Sequence, residues 1–147
     1  ITKNSISEEI LYQIDELSLK NNVEIFHPDS QEDVYKIMSE SDCFILPSIQ
    51  EGISNVVLES MAIGLPVISS DCGGMEEVIN NGSNGFIFSA RDSDALEKQL
   101  LKVMDLRDEE REKIIKEGKK FINKNFNPKL IKSEFHNFYK KTMGIEN

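Results

Sequence analysis

The sequence predicts an α/β fold, a parallel sheet flanked by helices and followed by a helical tail. Three observations predict it. Short apolar runs alternate with amphipathic stretches up to about residue 90. One run, Cys43-Phe44-Ile45-Leu46, is continuously apolar and closed by Pro47, as in a strand buried on both faces of a parallel sheet. Beyond residue 90 the apolar spacing is helical throughout.

The elements follow in order. Ser7 caps a helix with Glu8 and Glu9 in its first turn and Ile10, Leu11, Ile14 and Leu17 as its apolar positions; Asn21-Asn22 ends it. Val23 to Phe26 reads as a strand. Gln31 to Ser41 reads as a helix with Val34, Ile37 and Met38 inward. After the Cys43–Leu46 strand and a loop, Asn55 to Ile63 reads as a helix ended by Gly64, and Pro66 opens the strand Val67-Ile68-Ser69. Gly73-Gly74 makes a turn, Glu76 to Asn80 a brief helix, and Gly85 to Phe88 a last strand. Asp92 caps a helix carrying Leu96, Leu100, Leu101, Val103 and Met104. Asp108 caps a second, to about Lys124. Asn127-Pro128 opens a third, with Leu130, Ile131, Phe135, Phe138 and Tyr139 on its apolar face. The expected organisation is a single domain, with an α/β core over 1–90 and a helical tail over 91–147.

Composition narrows the function classes. The 147 residues are 39% apolar and 29% charged, as in a soluble globular protein. A net charge of −9 argues against nucleic-acid binding by a basic face. No apolar run approaches the roughly 20 residues of a membrane-spanning helix, and no export leader is visible, so the expected location is cytoplasmic. Cys43 and Cys72 read as small core residues of a reducing compartment.

In such sheets ligands bind beyond the carboxyl ends of the strands, which directs attention to the loop after Leu46. Gly52 permits a backbone path that other residues resist, and the amides of Ile53, Ser54, Asn55 and Val56 stand at a helix start. Free amides and the helix dipole form an anion site without a basic side chain. Glu51 precedes that helix, and Glu59 lies about one turn inside it. Two carboxylates beside an anion suit a ligand that also offers hydroxyls, such as a sugar or a ribose.

The string from Glu51-Gly52 through Glu59-Ser60-Met61-Ala62-Ile63-Gly64-Leu65-Pro66-Val67 resembles the signature of the retaining group 1 (family 4) glycosyltransferases. Ser41-Asp42-Cys43 to Pro47-Ser48 resembles the family's strand before that signature. Asp71-Cys72-Gly73-Gly74-Met75-Glu76-Glu77 resembles its Gly-Gly turn, and Asn81-Gly82 with Gly85 its following loop. Sugar-nucleotide epimerases of related fold lack this string. The resemblance runs from about Val23 to Leu101. It implies the GT-B fold, with this chain part of the Rossmann-like C-terminal domain that holds a nucleotide-diphosphate sugar.

The resemblance also implies roles. Glu51 would be the catalytic residue, meeting the donor sugar's hydroxyls. Glu59 would grip the ribose. Gly52, Ile53, Ser54, Asn55 and Val56 would line the sugar and diphosphate through their backbone. Glu77 would support the Gly73-Gly74 turn. Transfer would proceed with retention, with no metal and no cofactor besides the donor, to an acceptor such as a growing polysaccharide or glycolipid. Each residue also has a plainer reading. Ser54 or Asn55 is a helix cap; Ser48 holds the loop or faces the donor; Gly73 and Gly74 serve only their turn; His27, which follows the Val23–Phe26 strand at the sheet's carboxyl edge where the family has glycine, is a surface histidine or stands near the donor's base or sugar.

The family's donor domain opens with two strand-helix units that carry an Arg and a Lys for the diphosphate. Ile1-Thr2-Lys3 aligns only with the end of the second, and the usual glycine turn there is Thr2-Lys3-Asn4. The expectation is therefore an N-terminally incomplete domain, inactive in transfer by itself. It would need an acceptor domain, a complementary chain or association with its own copies, with membrane contact peripheral at most, at the inner face. The alternative function is a non-catalytic nucleotide-sugar-binding or assembly subunit that requires a partner chain.

Overall fold

The computed structural model describes residues 7–143. The expectations for Ile1 to Asn4 lie outside the described residues. The chain divides into two compact units, Ile1–Val34 and Tyr35–Asn147.

In the first unit, α1 (Glu8–Glu16) begins at Ser7, whose hydroxyl accepts from the Ile10 amide at 3.4 Å. It ends earlier than Asn21-Asn22 because Ser18 adopts φ 55, a left-handed conformation that a helix of L-residues does not continue through. None of its residues is buried. Val23–Phe26 is not a strand: it is irregular, and Phe26 is 53% exposed. A strand exists by pairing its N–H and C=O groups with a neighbour, and β-propensity alone does not supply one.

α2 (Gln31–Ser39) starts with a capping arrangement. The Asp33 carboxylate accepts from the Ser30 amide and hydroxyl at 3.1 and 2.7 Å, and the Ser30 hydroxyl accepts from the Asp33 amide at 3.2 Å. Of its three inward positions Met38 is buried, with Val34 and Ile37 half-buried.

The second unit holds a three-stranded parallel sheet in the order β1 (Phe44–Leu46), β2 (Val67–Ser70), β3 (Phe86–Phe88). Phe44 sits beside Val67, and Ile68 beside Phe86. Period-two alternation sorts the side chains between two cores. Phe44, Leu46, Val67 and Ile87 join Val57 and Met61 of α3 (Asn55–Ile63), with Phe121 and Ile122 of α6 (Asp108–Asn125). Cys43, Ile45, Ile68, Phe86 and Phe88 face the other way, against Leu96, Leu100 and Val103 of α5 (Ser93–Met104) and Ile114 of α6. The two-layered cover of an α/β sheet follows. Central β2 is buried throughout; of the two edge strands among the described residues, β1 is half-buried, whereas β3 has Phe86 and Phe88 buried.

α3 has the bounds expected, and Gly64 closes it at φ 102 with its amide on the Ser60 carbonyl. α4 (Met75–Val78) is a single turn. In α5, Leu101 and Met104 are 50% and 68% exposed, because the buried face runs through Leu96, Leu100 and Val103. Asp92 caps α5, accepting from the Ala95 amide at 2.8 Å. Asp92→Ala is expected to lower unfolding stability by about 1 kcal/mol, read as a shifted urea midpoint. The cap of α6 is Arg107 rather than Asp108, with Glu110 accepting from the Arg107 amide and guanidinium. The Asn127 side chain accepts from the Lys129 amide at the start of α7 (Pro128–Met143), where Phe135, Phe138 and Tyr139 are exposed. Among the described residues no helix is long and apolar enough to cross a membrane.

Candidate functional site

Parallel strands bring their carboxyl ends to one edge, so the loops after β1, β2 and β3 share it. Three contacts stitch those loops together. The Ser70 hydroxyl donates to the Ser48 carbonyl at 2.5 Å. The Asp71 carboxylate accepts from the Ala90 amide at 2.9 Å. Gly73, at φ +59, lies so close to the first loop that a Cβ would fall 1.7 Å from the Glu51 carbonyl oxygen and 3.2 Å from that of Gly52.

Gly74 is almost as tightly placed, since its Cβ would meet Ile53 Cγ1 at 2.8 Å. The Gly-Gly pair therefore does more than turn the chain. It lets the β2 loop lie against the backbone of Glu51, Gly52 and Ile53. Ser48 takes part in this stitching through its main-chain oxygen.

Gly52 departs from expectation. Its φ is outside the left-handed region, and a Cβ there would meet nothing within 4 Å. Backbone freedom is not what the position uses. The missing side chain leaves open space next to the start of α3.

At that start, Ser54 occupies the cap position, yet its side chain makes no cap hydrogen bond. Val57 and Leu58 donate the first bonds of the helix to the Ser54 carbonyl, at 3.1 and 3.2 Å. The amides of Asn55 and Val56 thus stand ahead of the helical ladder. The first turn of α3 carries no acidic residue, unlike those of α1, α2, α5 and α6. The positive end of its dipole is left for another anion. Asn55 and Val56 are exposed, Ser54 is buried, and Glu51 is exposed in the loop.

Glu59 is half-buried on α3. The Tyr35 phenol is raised above its ordinary value, by burial first and then by the charge and hydrogen bond of Glu59. An amide-lined helix start, a loop carboxylate and a second carboxylate one turn inside the helix are suited to a polyhydroxylated anion.

A family model for glycosyl transferases group 1 matches residues 6–121. The chain belongs to the group 1 glycosyltransferases. It is 30% identical over 139 residues to the capsular polysaccharide biosynthesis glycosyltransferase CapM of Staphylococcus aureus, covering 94% of this chain and 35% of CapM. A glycosyltransferase structure from Rickettsia africae superposes with TM-score 0.86 at 26% identity, covering 94% of this chain and 36% of that one. The structure of Anabaena HepE in complex with UDP superposes with TM-score 0.84 at 22% identity, covering 91% and 36%, and shows the shared fold. This group 1 chain thus spans about a third of the length of these relatives. Its sheet, flanking helices and helical tail match GT-B C-terminal domains, as expected from the sequence.

One residue at the site of this group 1 chain carried no sequence signal. Ser70 lies just past the strand read as Val67-Ile68-Ser69, and its bond to Ser48 joins segments 22 residues apart. Ser70→Ala should lower stability by about 1 kcal/mol through that lost bond, and amide hydrogen exchange around Ser48 to Ile53 should speed up. His27 follows an irregular segment of the first unit, so the strand-end position expected of it does not exist.

Proposed function

We propose that this chain is the donor-binding part of a retaining, hexosyl-transferring glycosyltransferase of polysaccharide or glycolipid synthesis. The observation that carries it is the Gly73 turn lying against Glu51 and Gly52 beside the uncapped start of α3. In this reading the Asn55 and Val56 amides and the α3 dipole meet the diphosphate. Glu51 takes the sugar hydroxyls and Glu59 the ribose hydroxyls. The open space at Gly52 receives the sugar.

Charge grows on the diphosphate as the glycosidic bond breaks, and preorganised amides oppose that growth without reorganising. No metal enters. Retention follows from attack on the face the diphosphate leaves. HepE has been crystallised with UDP and with UDP-glucose, which supports a nucleotide-sugar donor here, and CapM is named for capsular polysaccharide biosynthesis, which supports the synthetic role. Residues 1–90 carry the site and 91–147 the helical tail. The acceptor site and the cationic groups for the diphosphate belong to further sequence or a partner chain, at the cytoplasmic face of a membrane. The 147 residues by themselves bind weakly and do not transfer.

Calorimetric titration with UDP, GDP and their sugars tests this. Heat of binding for one nucleotide family is the expected result. No binding by any of them at millimolar concentration overturns the reading.

A further inference from the structure

Ser54 stands at the cap position of α3, and its hydroxyl does not cap the helix. A serine in this place ordinarily accepts a hydrogen bond from an amide of the first turn, as the Ser7 hydroxyl does from Ile10 at the start of α1. Here the main-chain oxygen of Ser54 joins the helix instead, accepting from Val57 and Leu58. Among the described residues the Ser54 hydroxyl has no hydrogen-bond partner. Yet the residue is only 8% exposed, so its polar group is largely withdrawn from water. A donor left unpaired in such a place is costly. Among the described residues no fully enclosed side-chain oxygen or nitrogen lacks a partner. The unpaired Ser54 oxygen is therefore not enclosed. It opens outward at the helix start, next to the open space at Gly52.

We propose that the Ser54 hydroxyl donates a hydrogen bond to the diphosphate of the nucleotide sugar, beside the amides of Asn55 and Val56. This rests on the nucleotide-sugar reading of the site. Neither role expected of Ser54, backbone donor or helix cap, puts its hydroxyl on a ligand. A capping oxygen would occupy an amide hydrogen that the phosphate needs. Turned away from the amides, the hydroxyl leaves them to the anion and adds an O–H of its own. A hydrogen bond to a charged oxygen is stronger than one between neutral groups, and the scarcity of water around Ser54 strengthens it further. Charge grows on that diphosphate as the glycosidic bond breaks, so a donor already in place favours the transition state.

Ser54→Ala removes the oxygen and keeps the backbone. Calorimetry with UDP, GDP and their sugars should show affinity for the nucleotide that binds falling about tenfold, the worth of one hydrogen bond to a charged group. The urea midpoint should not move, because no bond within the fold is lost. Asp92→Ala is the control: its carboxylate does cap a helix, at α5, so its midpoint should fall while nucleotide affinity stays. A lowered midpoint in Ser54→Ala, like that of Asp92→Ala, makes Ser54 a cap and overturns the proposal. A loss confined to the nucleotide sugars, with free UDP or GDP bound as before, overturns the diphosphate as its acceptor. Unchanged affinity in Ser54→Ala overturns the hydroxyl's role and leaves the nucleotide reading standing. Failure of the wild-type chain to bind any nucleotide overturns both.

Discussion

Gly73→Ala should be the most damaging small substitution in the site, lowering stability by about 2–5 kcal/mol. Two costs add. A left-handed conformation costs a residue with a Cβ about 1–2 kcal/mol, and Gly73 sits at φ +59. Forcing an atom into filled space costs about 1–3 kcal/mol, and the new Cβ would lie 1.7 Å from the Glu51 carbonyl oxygen. That oxygen is backbone, so relief requires the Glu51–Gly52 loop to move. Nucleotide affinity should therefore fall as well. Gly74→Ala is the control. Its φ is an ordinary −92, and its obstacle is the Ile53 side chain, which can turn aside. Urea unfolding of both variants decides the matter. A Gly73→Ala protein as stable as Gly74→Ala would contradict the packing of the two loops.

Glu59→Ala should reduce nucleotide affinity about 10- to 100-fold while leaving the fold intact. Hydrogen bonds to a charged group contribute about 1.5–3 kcal/mol, and a tenfold change corresponds to about 1.4 kcal/mol. Alanine is the best helix former, so α3 should persist. Calorimetry with the nucleotide that binds the wild-type chain measures the effect. Full affinity in Glu59→Ala would remove this residue from the site.

Much of this was legible before any coordinates. The bounds of α3 and its glycine stop follow from local signals: a turn, a helical apolar pattern, then Gly64-Leu65-Pro66. The strands β1, β2 and β3 follow from short apolar runs between breakers. The carboxylates and amides of the site were legible because they sit on one continuous segment, Glu51 to Glu59. What was misread required a neighbour. Val23–Phe26 has the composition of a strand and, among the described residues, no ladder to join. Leu101 and Met104 have helical apolar spacing but lie off the buried face. Gly52 suggested backbone freedom, and its surroundings show unused space instead.

The sequence by itself determined the local elements, the fold class and the segment that holds the candidate site. Each depends on interactions within a few residues, such as caps, turns and the alternation of faces. Only the tertiary structure decided that Gly73 must be glycine because of Glu51 and that Ser70 anchors Ser48. Those contacts join residues far apart in the chain. A residue's type states what it can donate, accept or leave empty, and the packing of loops along one sheet edge selects its partner.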